Sequence, residues 1–200
     1  MKKLKILFYF GIAFSLISCA SNNVSKVKGM IYSDEKEVIQ ANAVQTISTS
    51  KTVKDEFTAK SVHVKNSANN GSVPVSVYKL SLEENTVYSF TLKSIPAGLM
   101  SLSEEKKSVM IPEVFLYDEN FNLVENLNLR GETIAPTTTE SLLFRVTTKW
   151  EITESGNYYL VVKSDMSSSQ GITLTVYNYN TSTDVYFKRL PYGKFSFIVE

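Results

Sequence analysis

The 200-residue chain has one cysteine, Cys19, and one histidine, His63. A single thiol excludes an internal disulfide, which needs two. It also leaves no cysteine framework for zinc, whose sites draw several His and Cys ligands. Any Ser–His–Asp or Cys–His arrangement would have to be built on His63, with Ser61 or Ser67 beside it in sequence. Glycines stand singly in "PAGLM", "LRGE" and "SQGI", so no phosphate-cradling loop is written. The net charge of +1 gives neither a basic field for nucleic acid nor an acidic tail. No apolar run reaches the roughly 20 residues that a membrane-crossing helix needs.

What is present begins with the placement of that thiol, in "FSLISCASNN". Lys2, Lys3 and Lys5 precede an apolar stretch from Ile6 to Ile17, then small residues and Cys19. A basic start, a short apolar segment and a small residue at a cut site describe a secretory signal peptide. Leu16-Ile17-Ser18-Cys19 resembles the bacterial lipobox. That resemblance implies cleavage between Ser18 and Cys19, diacylglyceryl modification of the thiol and acylation of the new amino group. A single acyl chain anchors only marginally, so two or three chains make attachment stable. Ala20 and Ser21 fit the outer-membrane default of such lipoproteins, which places the protein on the periplasmic face of the outer membrane.

Without residues 1–18 the chain keeps about 182 residues, enough for one domain with a real core. Its 18 basic and 20 acidic residues then nearly balance. Apolar content of 43% with 11 Tyr and 11 Phe points to a β-rich globular domain. The expected organisation is a signal helix over 1–18, the lipidated cysteine, a tether and a weakly patterned segment over 19–60, and a β domain over 61–200. Residues 20–32 are mostly small and polar and read as the tether. Ser33 is positioned to cap a short helix with Asp34 and Glu35 in its first turn. Residues 46–61 show no clean period.

From Val62 onward the pattern is strand after strand. Asn70-Gly71 is a hairpin-type pair. Val73, Val75 and Val77 alternate, then Leu80 and Leu82 do so with opposite parity, which predicts a bulge or bend. Tyr88, Phe90 and Leu92 share one face. "EVFLYDENFNLV" is apolar on both sides of Asp118-Glu119-Asn120 and reads as a hairpin. Leu142, Phe144, Val146, Thr148, Trp150 and Ile152 form the longest alternation. Tyr158, Leu160 and Val162 follow, then Ile172, Leu174 and Val176, then Phe195, Phe197 and Val199. Mixed alternation predicts antiparallel pairing. The expected fold is all-β, an antiparallel β-sandwich of jelly-roll-like form.

Between Val75 and Leu174, and in the terminal "LPYGKF", the chain resembles the maltose operon periplasmic protein family. The matching features are "VYKLSLEENTVYSFTL", "MIPEVFLYDENFNLVENL", "FRVTTKWEI" and "GNYYLVVKSD", in that order. "SGNYYLVV" and "VFLYDENFNLV" are also similar to hairpins of the bacterial pre-peptidase C-terminal domain, a β-sandwich accessory module. The first resemblance implies an envelope protein associated with maltodextrin uptake. Both imply a sandwich without catalysis of its own.

The candidate sites are few. His63, in "SVHVK", is expected to face solvent, with Val62 and Val64 opposite. Asp118, Asn120 and Asn122 have the opening spacing of a calcium loop, but Leu123 and Leu129 stand where Gly and Glu are required, so they read as turn formers. Glu83-Glu84 and Glu104-Glu105 are adjacent pairs, which diverge on a strand. Tyr177 and Tyr179, with Thr173, Thr175, Asn178 and Asn180 near them, form the candidate surface for a sugar or a protein partner. Trp150 and the tyrosines are expected to report a stacked sugar by fluorescence. No cofactor, metal or nucleic acid is expected, and no enzymatic activity. The expected partners are the membrane through its anchor and an envelope protein or maltodextrin.

Overall fold

The computed structural model describes residues 28–66, 71–98, 107–134, 143–168, 170–178 and 181–200. Ser18 and Cys19 lie outside the described residues. In order, the elements are β1 (Ile31–Tyr32), α1 (Glu35–Gln40), β2 (Gln45–Thr46), β3 (Val53–Phe57), β4 (His63–Asn66), β5 (Gly71–Leu82) and β6 (Thr86–Ile95). They continue with β7 (Ser108–Val109), β8 (Pro112–Tyr117), β9 (Leu127–Ile134), β10 (Leu143–Ile152) and β11 (Gly156–Ser164). β12 (Ile172–Asn178), β13 (Thr181–Arg189) and β14 (Gly193–Val199) complete the chain.

Two main sheets form a β-sandwich, antiparallel except where β1 joins β4 and β2 joins β5 in parallel. The first runs β1-β4-β5-β11-β8 with β2 also on β5, and the second runs β3-β14-β6-β10-β9. A smaller sheet, β12-β13-β7, packs on Phe144 of β10 through Val109 and Phe187. The main core lies between the large sheets. Leu80, Leu82, Leu116, Leu160 and Val162 of the first meet Phe90, Leu92, Trp150, Phe195 and Phe197 of the second. The tilted Phe90–Trp150 and edge-on Tyr78–Phe197 pairs, with centroids 5.5 and 4.8 Å apart, add directional contacts to that burial.

The strands expected from alternation are present where one face is covered. β10 buries Val146, Thr148, Trp150 and Ile152 and exposes Lys149 and Glu151. β14 likewise buries Phe195, Phe197 and Val199.

β5 corrects the sequence reading. Its parity change is not a bulge, because its register with β11 is unbroken from Leu82 to Val75. Instead the strand is covered on both faces along different lengths. Tyr78, Leu80 and Leu82 point into the main core, while Val73, Val75 and Val77 point outward into a second cluster with Val38, Ile39 and Val161.

The N-terminal segment also differs from expectation. Residues 31–32 pair with β4, and β3 pairs with β14, so elements before residue 61 are built into both sheets. A further correction lies beside it. His63 does not face solvent but is fully buried, with its ring edge-on to Tyr192 and β1 paired along the outer side of β4. The "DENFN" turn is confirmed, with Asp118 Oδ1 accepting from the Asn120 and Asn122 amides at 2.8 Å each. Its returning side is a single bridge, Tyr117 to Leu123, rather than a strand.

Candidate functional site

The outer face of the first sheet carries the richest combination of charge, aromatic surface and concavity among the described residues. Helix α1 positions it. Asp34, not Ser33, is the N-cap: its Oδ1 accepts from the Glu37 amide at 3.0 Å, and Glu37 Oε2 accepts from the Ser33 amide at 2.7 Å. The first bond satisfies one of the helix's orphan donors, the Glu37 amide, and the second ties down the Ser33 amide just ahead of the cap. A helix of six residues cannot hold itself in water, so burial of Val38 and Ile39 on the β5 valines must supply its stability. Each such side chain contributes about 1.5–3 kcal/mol. Glu35 lies three and four residues before these anchors and so shares their face of the helix.

That geometry delivers Glu35 to Lys163 of β11, with Oε1 and Nζ 2.8 Å apart. Lys163 also reaches Glu113, its cross-strand partner on β8, at 3.6 Å, and lies 4.7 Å above the Phe115 ring. Burial alone would lower the Lys163 ammonium, but hydrogen bonding and the charges of Glu35 and Glu113 outweigh it and raise its pKa. Burial raises the Glu113 carboxyl against the pull of Lys163. It raises the Tyr117 phenol too, reinforced by Glu35.

A cleft of about 510 Å³ opens beside this cluster, lined by Ser33, Asp34, Glu35, Lys65, Asn66, Gly71 and Lys163. A second hollow of about 230 Å³ shares Lys65, Asn66 and Lys163 with it and continues to Glu113 and Asp165. At its far end Asp165 accepts from Arg189 at 3.0 Å and from the Ser167 amide at 2.8 Å. These bonds outweigh burial and hold its carboxyl below the ordinary range. Beyond Lys163 the same face presents half-buried Phe115, Tyr117, Tyr159 and Phe121. Tyr159 sits opposite Tyr117 in the ladder, and Phe121 stacks on Tyr159 with centroids 6.1 Å apart. The arrangement offers flat apolar rings beside both donors and acceptors, which suits a hydroxyl-rich or mixed-charge ligand.

The sequence did not single out these groups. Glu35, Glu113 and Lys163 come from three separated segments, and only the register of β11 with β8 and the seating of α1 bring them together. Of the residues it did single out, Tyr177 lies in β12 with its backbone paired to Ser182. Tyr179 lies outside the described residues. Trp150 is sealed in the core, which corrects the expectation that it reports a sugar directly.

His63 takes no part in this face. Its Nδ1 donates to the Ser61 carbonyl at 2.7 Å, Nε2 has no partner among the described residues, and its ring meets Tyr192 edge-on. Burial lowers its pKa, against the opposing bond to Ser61. A small acidic cleft of about 170 Å³ lies near Asp118, Glu119 and Glu154. The Asp118 carboxylate there is used by its own loop, and no metal-ligating cluster is found among the described residues.

No family model matches the chain, and no curated protein does. Similar solved structures include the pre-peptidase C-terminal domain of a Bacillus anthracis collagenase, with a TM-score of 0.38 at 10% identity. That alignment covers 78% of this chain and 94% of the other. Another is CorA, a surface-associated copper-binding protein of Methylomicrobium album BG8, with a TM-score of 0.37 at 10% identity. It covers 78% of this chain and 98% of the other.

Proposed function

We propose that this protein is a lipid-anchored accessory or binding domain of the bacterial cell envelope, held through Cys19 at the periplasmic face of the outer membrane and without catalytic activity of its own. The observation that carries this reading is the position of the chain's lone thiol, just after a short apolar run that three lysines precede. The fold supports it. Ile31 already pairs within a sheet, so only about eleven residues separate it from Cys19. At about 3.3–3.6 Å per residue they hold the sandwich within about 40 Å of the lipid. Sealing of the lone imidazole inside the sandwich fits a binding role, since neither ring nitrogen meets a nucleophile among the described residues. Cys19→Ala should move the protein from the membrane fraction to the soluble one. Mass spectrometry of the mature N-terminus should find acyl chains on Cys19, and a bare thiol there would overturn the reading.

A second reading has its own support: an accessory of carbohydrate uptake that binds maltodextrin or an outer-membrane porin. The resemblance to the maltose operon family suggests the ligand class, and the rings of Tyr117, Tyr159 and Phe121 supply a stacking surface beside Glu113 and Lys163. Calorimetric titration with maltodextrins should then show binding that Tyr159→Ala removes. A flat titration of the unaltered protein would end the maltodextrin form of this reading and leave only the porin.

A further inference from the structure

Strand β9 lies at the edge of the second sheet, and among the described residues nothing pairs with its outer side. It is eight residues long and exposes Leu127, Leu129, Arg130, Gly131 and Glu132. Other edges are blunted in recognisable ways. β8 opens on Pro112, β1 has two residues, and β3 carries Lys54, Asp55 and Glu56 with Asp55 turned inward. β9 carries the charges Arg130 and Glu132, but it has no proline and no inward-turned charge, and it is longer than β1, β3 or β8. The register slip between Thr147 and Lys149 of β10, with Asn128 at φ 56°, confines the irregularity to its start.

The charges on β9 are self-complementary in one register. Arg130 and Glu132 flank Gly131 and point to the same side, because their β10 partners Thr147 and Arg145 do. Glu132 already lies 3.6 Å from Arg145, its partner on β10. If β9 meets a second β9 antiparallel with Gly131 opposite Gly131, each Arg130 becomes a second cation beside the Glu132 of the other copy. Centring the pair on Arg130 or Glu132 instead opposes like charges, as does parallel in-register pairing, and like charges directly opposite are destabilising. We propose that β9 pairs with β9 of a second copy of this chain about a two-fold axis at Gly131, joining the two five-stranded sheets into one. A two-fold contact of this kind closes on itself and ends as a dimer rather than a fibre.

The test uses the full-length protein in its native membrane. Gly131→Cys places two thiols on the axis within disulfide reach. The added Cβ stands 3.1 Å from the tip of the half-buried Phe144 ring, which must give by a few tenths of an ångström. Mild oxidation should give a covalent dimer on a non-reducing gel, above the baseline of the parent with Cys19 alone. Leu127→Cys, far from the axis, should not. In the Gly131→Cys background, Arg130→Glu and Glu132→Arg should each lower the cross-linked yield at least tenfold. Co-expressing the two should restore it, because each then meets its opposite charge, and recovery also shows that both variants fold. No dimer from Gly131→Cys, or a dimer indifferent to both charge reversals, would overturn the proposal.

Discussion

Asp55 of β3 and Tyr78 of β5 join the two main sheets through a hydrogen bond of 2.5 Å, the phenol donating to Oδ2. Ser76 donates to the same oxygen at 2.8 Å, so one carboxylate of an edge strand holds two hydroxyls of the opposite sheet. Burial, with the Asp55 charge beside it, pushes the Tyr78 phenol above its usual range, so it remains a donor throughout the physiological span.

Asp55→Ala should therefore cost more than the removal of either hydroxyl. It leaves the buried Tyr78 oxygen unpaired, and an orphaned buried polar group costs about 1–3 kcal/mol. Tyr78→Phe leaves Asp55 with Ser76 still donating and should cost less. Urea unfolding of the two variants gives the order, and a larger loss for Tyr78→Phe would contradict this account of the clasp.

The Lys163 cluster predicts opposite effects from two similar changes. Glu35→Gln removes the charge that holds α1 to the sheet and should destabilise by about 1 kcal/mol, as for a partly exposed pair. Glu113 is already disfavoured as a carboxylate by burial, so Glu113→Gln should be neutral or stabilising at pH 7. Thermal melts of both variants read the difference directly.

These two examples mark what was legible in the chain. Trp150, Phe195 and Phe197 could be placed inward because β10 and β14 each have one covered face, so apolar and polar residues alternate cleanly. Alternation broke down on β5, where Val75 and Leu80 are both buried but in different cores. "VKDEF" gave no strand signal at all, since the inward position of Asp55 is satisfied only by hydroxyls more than twenty residues away in sequence. His63 was misplaced for a related reason. Its ring meets Tyr192, far away in sequence, and its strand is flanked by the two-residue β1, too short to carry any period.

Stability should fall as acid is added below pH 6.5, and His63 should be the main cause near that value. Its folded pKa lies below the ordinary 6.5, so the unfolded chain takes up the proton first. The stability tied to the neutral ring is thus fully present above about pH 6.5 and is lost as pH drops towards the lowered value. His63→Phe should flatten the denaturation midpoint between pH 6.5 and 5. An unchanged slope in that variant would assign the loss to the carboxylates instead.

Gly29 controls the same imidazole at one remove. A Cβ at position 29 would lie 1.8 Å from the Ser61 carbonyl oxygen, the atom that accepts from His63 Nδ1. Backbone contact this close cannot be relieved by a side-chain rotation, so Gly29→Ala must push β1 away from the start of β4. The Ser61 bond, which raises the pKa, would weaken, but water would gain access to the ring. Burial is the larger influence. Its loss should win, and the His63 pKa should climb back towards 6.5. With one histidine in the chain, a single imidazole resonance in an NMR pH titration reports the shift without assignment. A midpoint unmoved by Gly29→Ala would mean that β1 is not what seals the ring.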